Sequence, residues 1–142
     1  MAKYKVAGNA QFLITDISGT VRNMTSYVDT MSTPPTRAVI PLDVTTFGDT
    51  AETFVAGIDQ SKTVTIEGPF DDAATSGPDA VFAPMIGTAR AYTFYPIGTT
   101  TGRRKYTGTL LCLNYEPGGG VKERVSYSVT FALTGTVTVG TA

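Results

Sequence analysis

Residues 41–72 read PLDVTTFGDTAETFVAGIDQSKTVTIEGPFDD, and the fold prediction starts from this stretch. Residues 42–47 have the β-branched and aromatic composition of a strand, and Gly48 with Asp49 supplies the turn chemistry that ends it. The AGIDQ segment at residues 56–60 predicts a second turn. This part of the chain is therefore expected to be a strand, a turn, a short polar segment and another turn.

The next segment alternates apolar and polar residues from Thr63 to Phe70. Its apolar members are Val64, Ile66 and Phe70, and the polar residues set against them are Thr63, Thr65 and Glu67. A period of two residues places the two sets on opposite faces of one strand. The segment therefore predicts a half-buried strand.

Working outward, four further segments have strand patterns: residues 11–17, 91–97, 104–115 and 125–134. In the last of these, one face is predicted to carry Val125, Tyr127, Val129, Phe131 and Leu133. The Pro117 to Gly120 segment predicts a flexible hairpin tip before that strand. Residues 37–47 are expected to form an extended arm that follows a proline-containing loop at residues 31–37.

One good helix candidate lies within residues 72–87. Gly77 and Pro78 suit a helix start, Pro84 limits its length and Gly87 can end it. Its predicted core residues are Val81, Phe82, Met85 and Ile86. Residues 21–31 also show a helical spacing that a cap at Asn23 could begin, which predicts a short helix or turn.

About seven strands and one helix predict a mainly β fold, either a β-sandwich or a partly open barrel with one flanking α-helix. The chain has 142 residues, 42% of them hydrophobic, which is enough for one domain over residues 1–142. Residues 1–10 are expected to form an N-terminal arm, and residues 31–37 an exposed loop.

The composition excludes several classes of function. The net charge of −1 gives no general attraction to nucleic acid or to anionic membranes. The single cysteine, Cys112, favours a reducing compartment, and the lack of a signal-peptide core or a long apolar segment predicts a protein made in a cytoplasm without membrane insertion. The chain has no histidine, which removes imidazole general bases and metal ligands.

The remaining candidates for chemistry are weak. Cys112 is expected to be a buried, inert thiol, and Asp71, Asp72 and Asp79 to be turn and helix-start acids that could otherwise hold a cation. The basic cluster at residues 103–105 lacks a clear aromatic platform for nucleic acid, although Tyr92, Phe94 and Tyr95 could form one. We therefore expect no enzyme activity, no cofactor and no metal.

The predicted strands have polar faces that are rich in Thr and Ser and nearly free of charge. Long strands with such faces also leave backbone groups at their edges, and closed assembly of identical copies removes those edges. The sequence therefore predicts a homo-oligomer with a smooth, hydroxyl-coated surface.

Several motifs occur in the order found in one family. They are the DIS opening at residues 16–18, the VTTFGD, AGID and TVTIEGPFDD segments, and RVSYSVTFALTG near the end. Together they resemble the major tail tube proteins of long-tailed bacteriophages of the siphophage type. The resemblance implies a ring of six copies, stacking of rings into a tube around a tape measure protein, and later passage of double-stranded DNA through the lumen.

The same resemblance implies contacts with tail terminator and baseplate proteins, a place in the tail of a virion, and assembly in the cytoplasm of a bacterial host. Two sets of residues are assigned on this basis. The residues predicted to face the lumen are Thr63, Thr65 and Glu67, and those predicted to contact the next ring are Thr33, Pro34, Pro35, Thr36 and Arg37, with the residues before Gln11.

Two alternatives of other classes remain open on the sequence. The first is an immunoglobulin-like or carbohydrate-binding module that uses Tyr92, Tyr95 and Tyr106 as a stacking surface. The second is a small carboxylate-dependent hydrolase centred on Asp71 and Asp72.

Overall fold

The structure is a computed structural model that describes residues 10–32, 35–71, 74–99, 101–119 and 125–142. Within these ranges the strands are β1 (Gln11–Thr15), β2 (Val21–Asn23), β3 (Thr30–Met31), β4 (Val39–Asp43), β5 (Phe54–Asp59), β6 (Thr63–Pro69), β7 (Ala89–Tyr95), β8 (Arg104–Gly118) and β9 (Ser126–Thr141). The helical elements are a 3-10 turn (Thr25–Tyr27), α1 (Pro78–Phe82) and a second 3-10 turn (Ala83–Met85). The fold is therefore mainly β with one α-helix, as predicted.

Seven of the strands form one antiparallel sheet in the order β2-β1-β7-β8-β9-β6-β3. The long strands β8 and β9 lie at its centre, and the two short strands β2 and β3 lie at its edges. Strands β4 and β5 pair only with each other and form a separate two-stranded hairpin.

The segment between β2 and β3 joins the two edges of the large sheet. Met24, which is fully buried, donates its backbone N–H to the Phe12 carbonyl of β1 at 2.9 Å. Asp29, a few residues later, donates its N–H to the Glu67 carbonyl of β6 at 2.9 Å. Because one short segment reaches both edges, the sheet curls around its core, and of the two predicted architectures the structure is a partly open barrel.

The core fills the concave side of this sheet and is covered by α1. The Phe82 ring of α1 lies 5.6 Å from the ring centre of Tyr127 and 5.8 Å from that of Phe131, both on β9. The helix starts at Gly77 and Pro78 as predicted, and Val81, Phe82 and Met85 are fully buried. Pro84 lies in the 3-10 turn that follows the helix.

Ile86 is the exception among the predicted core residues of this helix. Its side chain is 48% exposed, so the prediction that it is buried is wrong. The helical spacing on which the prediction depended ends at Met85, where the 3-10 turn gives way to an extended residue. Beyond that point, a residue no longer follows the buried face of the helix.

Strand β9 has the predicted alternation and continues further than predicted. Tyr127, Val129, Phe131 and Leu133 are buried, while the alternate residues lie on the opposite face. Val125 was predicted to share the buried face but is 57% exposed, so that prediction is wrong, because the strand begins only at Ser126. The strand passes through Gly135, which has a positive φ of 76°, and the register to β8 shifts there. This bulge lets the strand bend and return a buried residue, Val137, to the core.

Strand β8 also runs past its predicted end. Pro117 and Gly118, which the sequence predicted as the start of a hairpin tip, pair with Tyr127 and Ser126 of β9. A bulge at Leu113 breaks the period of two, so that both Leu113 and Asn114 are exposed between the buried Cys112 and Tyr115. The Gly120 part of the predicted tip lies outside the described residues.

The boundaries predicted for residues 41–62 are wrong in two places. The strand ends at Asp43 and not at Phe47, because the Asp43 carboxylate accepts the Thr45 N–H at 2.9 Å and turns the chain. The AGID segment is not a turn but the end of β5. Gly57 suits that strand because a Cβ atom there would lie 2.5 Å from the Ile40 carbonyl oxygen of β4.

Candidate assembly surfaces

The side of the large sheet that faces away from α1 is coated with hydroxyl groups. We call it the hydroxyl face, and its hydroxyl residues include Thr15, Thr30, Thr63, Thr65, Thr93, Thr107, Thr109, Ser126, Ser128, Thr130, Thr134 and Thr138. The predicted lumen residues Thr63, Thr65 and Glu67 all lie on it, because Val64 and Ile66 between them are buried on the core side. The structure thus brings these three residues together with hydroxyl groups from three neighbouring strands.

The hydroxyl face is almost free of positive charge. Among the strand residues that the structure describes on this face, the one with a basic side chain is Lys105, near the N-terminal end of β8. Glu67 and Glu116 lie at the opposite end, on either side of Ser128. A surface of this composition hydrogen-bonds to water and offers little attraction to phosphate groups.

The β4–β5 hairpin is exposed on both of its faces. All residues from Val39 to Ala56 are exposed, including the large apolar residues Val39, Ile40, Leu42, Val44, Phe47, Phe54 and Val55, and Ile58 follows at 76% exposed. Two-stranded hairpins are at best marginally stable alone, and exposed apolar patches of this kind mark interaction sites. The hairpin is therefore the strongest candidate in the described structure for burial against another chain.

Sequence reasoning missed this surface. It treated residues 41–72 as the centre of the fold, whereas only β6 from that stretch belongs to the core. The sequence did contain a signal for it: on both sides of the turn at Gly48, apolar and polar residues do not alternate regularly. A strand with one buried face would have shown a cleaner alternation.

The predicted inter-ring loop is only partly accessible. Thr33 and Pro34 lie outside the described residues. Pro35 is fully buried and its carbonyl accepts a hydrogen bond from the Tyr92 hydroxyl at 2.6 Å, so the prediction that it is exposed is wrong. Burial results because Tyr92 reaches the loop from the core, which no local pattern shows. Thr36 is half-buried and accepts a hydrogen bond from Lys62, and Arg37 is exposed beside Asp59.

An exposed tyrosine platform is absent at the positions predicted for a carbohydrate-binding module. Tyr92 is 3% exposed and stacks on Phe12, and burial raises the pKa of its hydroxyl to about 12. Tyr106 is half-buried and stacks on Phe94, with ring centres 6.5 Å apart. The three tyrosines therefore do not form the stacking surface on which that alternative depends.

The candidate catalytic groups serve structural contacts. Asp71 accepts a hydrogen bond from the Tyr27 hydroxyl at 3.2 Å, and Asp79 accepts one from the Tyr115 hydroxyl at 3.2 Å. Asp72 lies outside the described residues. Cys112 is fully buried, and burial raises the pKa of its thiol, as expected of an inert core residue.

The described residues contain no cluster of His, Cys, Asp or Glu that could hold a metal ion. None of the helices in the described part of the chain has the length and apolar character needed to cross a membrane.

Comparison with known proteins gives matches in structure alone. No protein family and no curated protein matches the sequence. A chain in the virion of a native gene transfer agent particle superposes with a TM-score of 0.71 at 15% identity, covering 96% of this chain and 98% of that one. A chain in the tail of an empty gene transfer agent particle, determined with C6 symmetry, gives a TM-score of 0.68 at 16% identity, with coverage of 92% and 95%.

A third structure comes from an extracellular contractile injection system, in the sheath and tube terminator of its extended state. A chain in that structure superposes with a TM-score of 0.67 at 9% identity, and the match covers 99% of this chain and 99% of that one. At these identities the likeness establishes the fold, which is that of the tail tubes of phage-like particles, over nearly the whole chain.

Proposed function

We propose that this chain is the structural subunit of a tail tube in a virus or phage-like particle. In this proposal, six copies form a ring, rings stack into a tube, and the lumen holds a tape measure protein and later conducts double-stranded DNA. The observation that carries the proposal is a fold shared, over nearly the full chain, with tail and tube components of phage-like particles. The chain would act in the virion tail after assembly in the host bacterial cytoplasm, with a structural and not a catalytic role.

The exposed β4–β5 hairpin supports self-assembly. Its apolar residues lie on both faces, so burying them requires contacts on two sides. An assembly in which each copy contacts several sister copies provides such contacts, while a solitary protomer leaves them in water. Tail terminator and baseplate proteins would meet the same surfaces at the ends of the tube.

The hydroxyl face supports the role as a conduit. DNA that passes along a wall is retained by every Lys or Arg that contacts a phosphate, because each contact adds affinity that does not depend on sequence. Thr63 and Thr65 supply neutral hydroxyl groups and Glu67 a negative charge. We therefore assign Thr63, Thr65 and Glu67 to the lumen wall.

Electron microscopy of the purified chain tests the proposal. The wild type is expected to form rings or tubes, and the double variant Phe47→Ser/Ile58→Ser to form far fewer. Both residues are highly exposed, at 112% and 76%, so the free energy of unfolding of the variant should lie within about 0.5 kcal/mol of that of the wild type. The loss of tubes would then report on assembly and not on folding.

Val21→Ser is the matched control, since Val21 is a 61% exposed apolar residue on β2, an edge strand of the large sheet that does not belong to the hairpin. It should leave tube yield close to that of the wild type. A wild type that stays monomeric at high concentration would contradict the proposed function. Normal tube yield from the hairpin variant would show that the hairpin is not an assembly surface.

A further inference from the structure

The β4–β5 hairpin is joined to the rest of the chain by two short legs. The entry leg is residues 35–38, and the exit leg is residues 60–62. The legs continue the pairing of the hairpin, because Gln60 donates its N–H to the Ala38 carbonyl at 2.7 Å. The orientation of the hairpin is therefore set where these two legs meet the large sheet.

Each leg has its own anchor on the sheet. The exit leg is held on β9, where Leu133 donates its N–H to the Lys62 carbonyl at 2.7 Å. The Leu133 carbonyl in turn accepts a hydrogen bond from the Ser61 hydroxyl at 2.7 Å. The entry leg is held from β7, where the Tyr92 hydroxyl donates to the Pro35 carbonyl at 2.6 Å. A hairpin that is tied at both legs cannot pivot about either one.

The anchor of the entry leg is buried. Pro35 is fully buried and Tyr92 is 3% exposed, whereas the hydrogen-bonded ion pair between Arg37 and Asp59 at the same end of the hairpin is exposed. Water can replace an exposed contact, but a buried carbonyl that loses its donor is left without a partner. The Tyr92 hydroxyl is therefore the contact that holds the entry leg most strongly.

The sheet leaves space for Tyr92 to reach the entry leg. A Cβ atom added at Gly108 of β8 would lie 3.1 Å from a ring carbon of Tyr92 and 3.3 Å from its hydroxyl oxygen. The register between β8 and β9 also shifts at this glycine. Glycine in a strand often marks such a close approach. A larger residue here would displace the tyrosine, so Gly108 keeps the path to Pro35 open.

We propose that Tyr92 is a positioning residue for the β4–β5 hairpin. Its hydroxyl ties the entry leg to the core, and this tie presents the exposed apolar hairpin to another chain in a single orientation. The ring of Tyr92 fills the core and stacks on Phe12, while the hydroxyl serves the leg. The inference goes beyond the proposed function, because the contact acts within one protomer.

Tyr92→Phe is the variant that tests this role, because it keeps the ring and removes the hydroxyl. Tyr127→Phe is the matched control. Tyr127 is 2% exposed, and its hydroxyl also donates to a backbone carbonyl outside the strands, that of Tyr27 in the segment between β2 and β3. Each variant loses one hydrogen bond of the same kind, so we expect similar urea midpoints for the two.

Hydrogen exchange in dilute protein, followed by mass spectrometry, separates local opening from global unfolding. The Gln60 N–H, bonded to Ala38, reports on the base of the hairpin, and the Asp29 N–H, bonded to Glu67, reports on the segment between β2 and β3. We expect Tyr92→Phe to speed exchange at Gln60 about tenfold, because one buried hydrogen bond no longer opposes local opening. Exchange at Asp29 should stay near the wild-type rate. Tyr127→Phe should show the reverse pattern.

Two results would overturn the proposal. The first is unchanged exchange at Gln60 in Tyr92→Phe, and the second is equal acceleration at Gln60 and Asp29, which indicates a loss of global stability alone. If Tyr92→Phe does not fold, Gly108→Ala displaces the tyrosine without removing its hydroxyl. It should speed exchange at Gln60 and not at Asp29, and an unchanged rate at Gln60 would again overturn the proposal.

Tube formation gives a second measurement, and this part of the inference rests on the proposed function. Tyr92→Phe should need a higher protein concentration to form tubes than Tyr127→Phe, because a hairpin without a fixed orientation must be ordered during assembly. Equal concentrations would show that Tyr92 does not position the hairpin for assembly. A wild type that forms no tubes contradicts the proposed function, while the exchange rates still decide whether the hydroxyl holds the hairpin.

Discussion

At the scale of single residues, Asp16 organises the turn between β1 and β2. Its carboxylate accepts hydrogen bonds from the Ser18 N–H and hydroxyl, from the Thr20 N–H at 2.9 Å and from the Arg22 Nε at 2.8 Å. Hydrogen bonding to Arg22, followed by that to Ser18, holds the pKa of this carboxyl well below its usual 3.8. The DIS opening noted in the sequence thus has a structural explanation in this turn.

The stabilising effect of Asp16 should depend on pH. Because the folded pKa lies below the unfolded one, the contribution is fully present above about pH 3.8 and is lost as pH falls toward the folded value. Asp16→Asn should therefore lower the urea midpoint at pH 7, and the difference from wild type should narrow below pH 3.8. Urea unfolding followed by circular dichroism at pH 7, 4.5 and 2.5 measures this.

Asp49→Asn provides the control, because Asp49 lies on the exposed hairpin and an amide oxygen can still accept the Thr46 N–H. Its midpoint should follow that of the wild type at each pH. A gap between Asp16→Asn and wild type that stays constant from pH 7 to pH 2.5 would show that the carboxylate charge is not what stabilises the turn.

At the scale of elements, the segment between β2 and β3 packs closely against β6, and this contact joins the two edges of the large sheet. Gly68 of β6 lies against the carbonyl of Tyr27 in the first 3-10 turn, and an added Cβ would overlap that carbonyl. The Tyr27 carbonyl also accepts a hydrogen bond from the Tyr127 hydroxyl at 2.5 Å. Glycine at this position therefore allows the segment between β2 and β3 to reach the far edge of the sheet.

Gly68→Ala is expected to destabilise the fold by at least about 2 kcal/mol, because either the strand or the bridging turn must move. Gly140→Ala on β9 is the matched control, since nothing lies within 4 Å of its added Cβ. The control should be neutral or slightly stabilising. Urea unfolding measures the midpoints of the two variants. Equal midpoints would show that β6 and the turn at Tyr27 can move apart without loss of stability.

At the scale of the whole molecule, the absence of positive charge along most of the hydroxyl face is the property that a DNA conduit needs. Thr65 pairs with Thr130, and both lie in the middle of that face. Neither is fully buried, so a longer polar side chain can extend from either position. The proposed lumen can therefore be altered without disturbing the core.

Thr65→Lys/Thr130→Lys should give tubes that retain double-stranded DNA in low salt and release it as NaCl rises, while wild-type tubes retain little. Each added lysine contacts phosphates, and counterion release makes that contact strongly dependent on salt. Co-sedimentation of DNA with tubes across a NaCl series measures this. Thr65→Gln/Thr130→Gln adds length without charge and should behave as the wild type.

If both pairs of variants retain DNA equally, charge on this face does not govern retention. If the lysine tubes bind no more DNA than wild type although they assemble normally, the hydroxyl face does not line the lumen, and the assignment of Thr63, Thr65 and Glu67 is wrong.

The predictions that were confirmed depend on local patterns. Strand β6 and the buried face of β9 follow from alternation over consecutive residues. The start of α1 follows from Gly77 and Pro78, whose backbone preferences need no distant partner. Strand β1 and the turn after it were likewise readable from the residues themselves.

The predictions that failed required information about distant residues. Whether AGID turns or extends depends on β4, against which Gly57 packs closely. The exposure predicted for Pro35 was wrong because Tyr92, far away in sequence, bonds to its carbonyl. The end of β8 was misplaced because Pro117 pairs with Tyr127 across the hairpin.

The sequence by itself determined the mainly β class, the single helix and the two-faced character of β6 and β9, since a side chain's face follows from its place in a short repeat. Only the tertiary structure decided that the segment from β2 to β3 joins the two edges of the large sheet, and that the β4–β5 hairpin stands apart with its apolar residues exposed. These features depend on strand order and register, which arise from contacts between residues far apart in the chain.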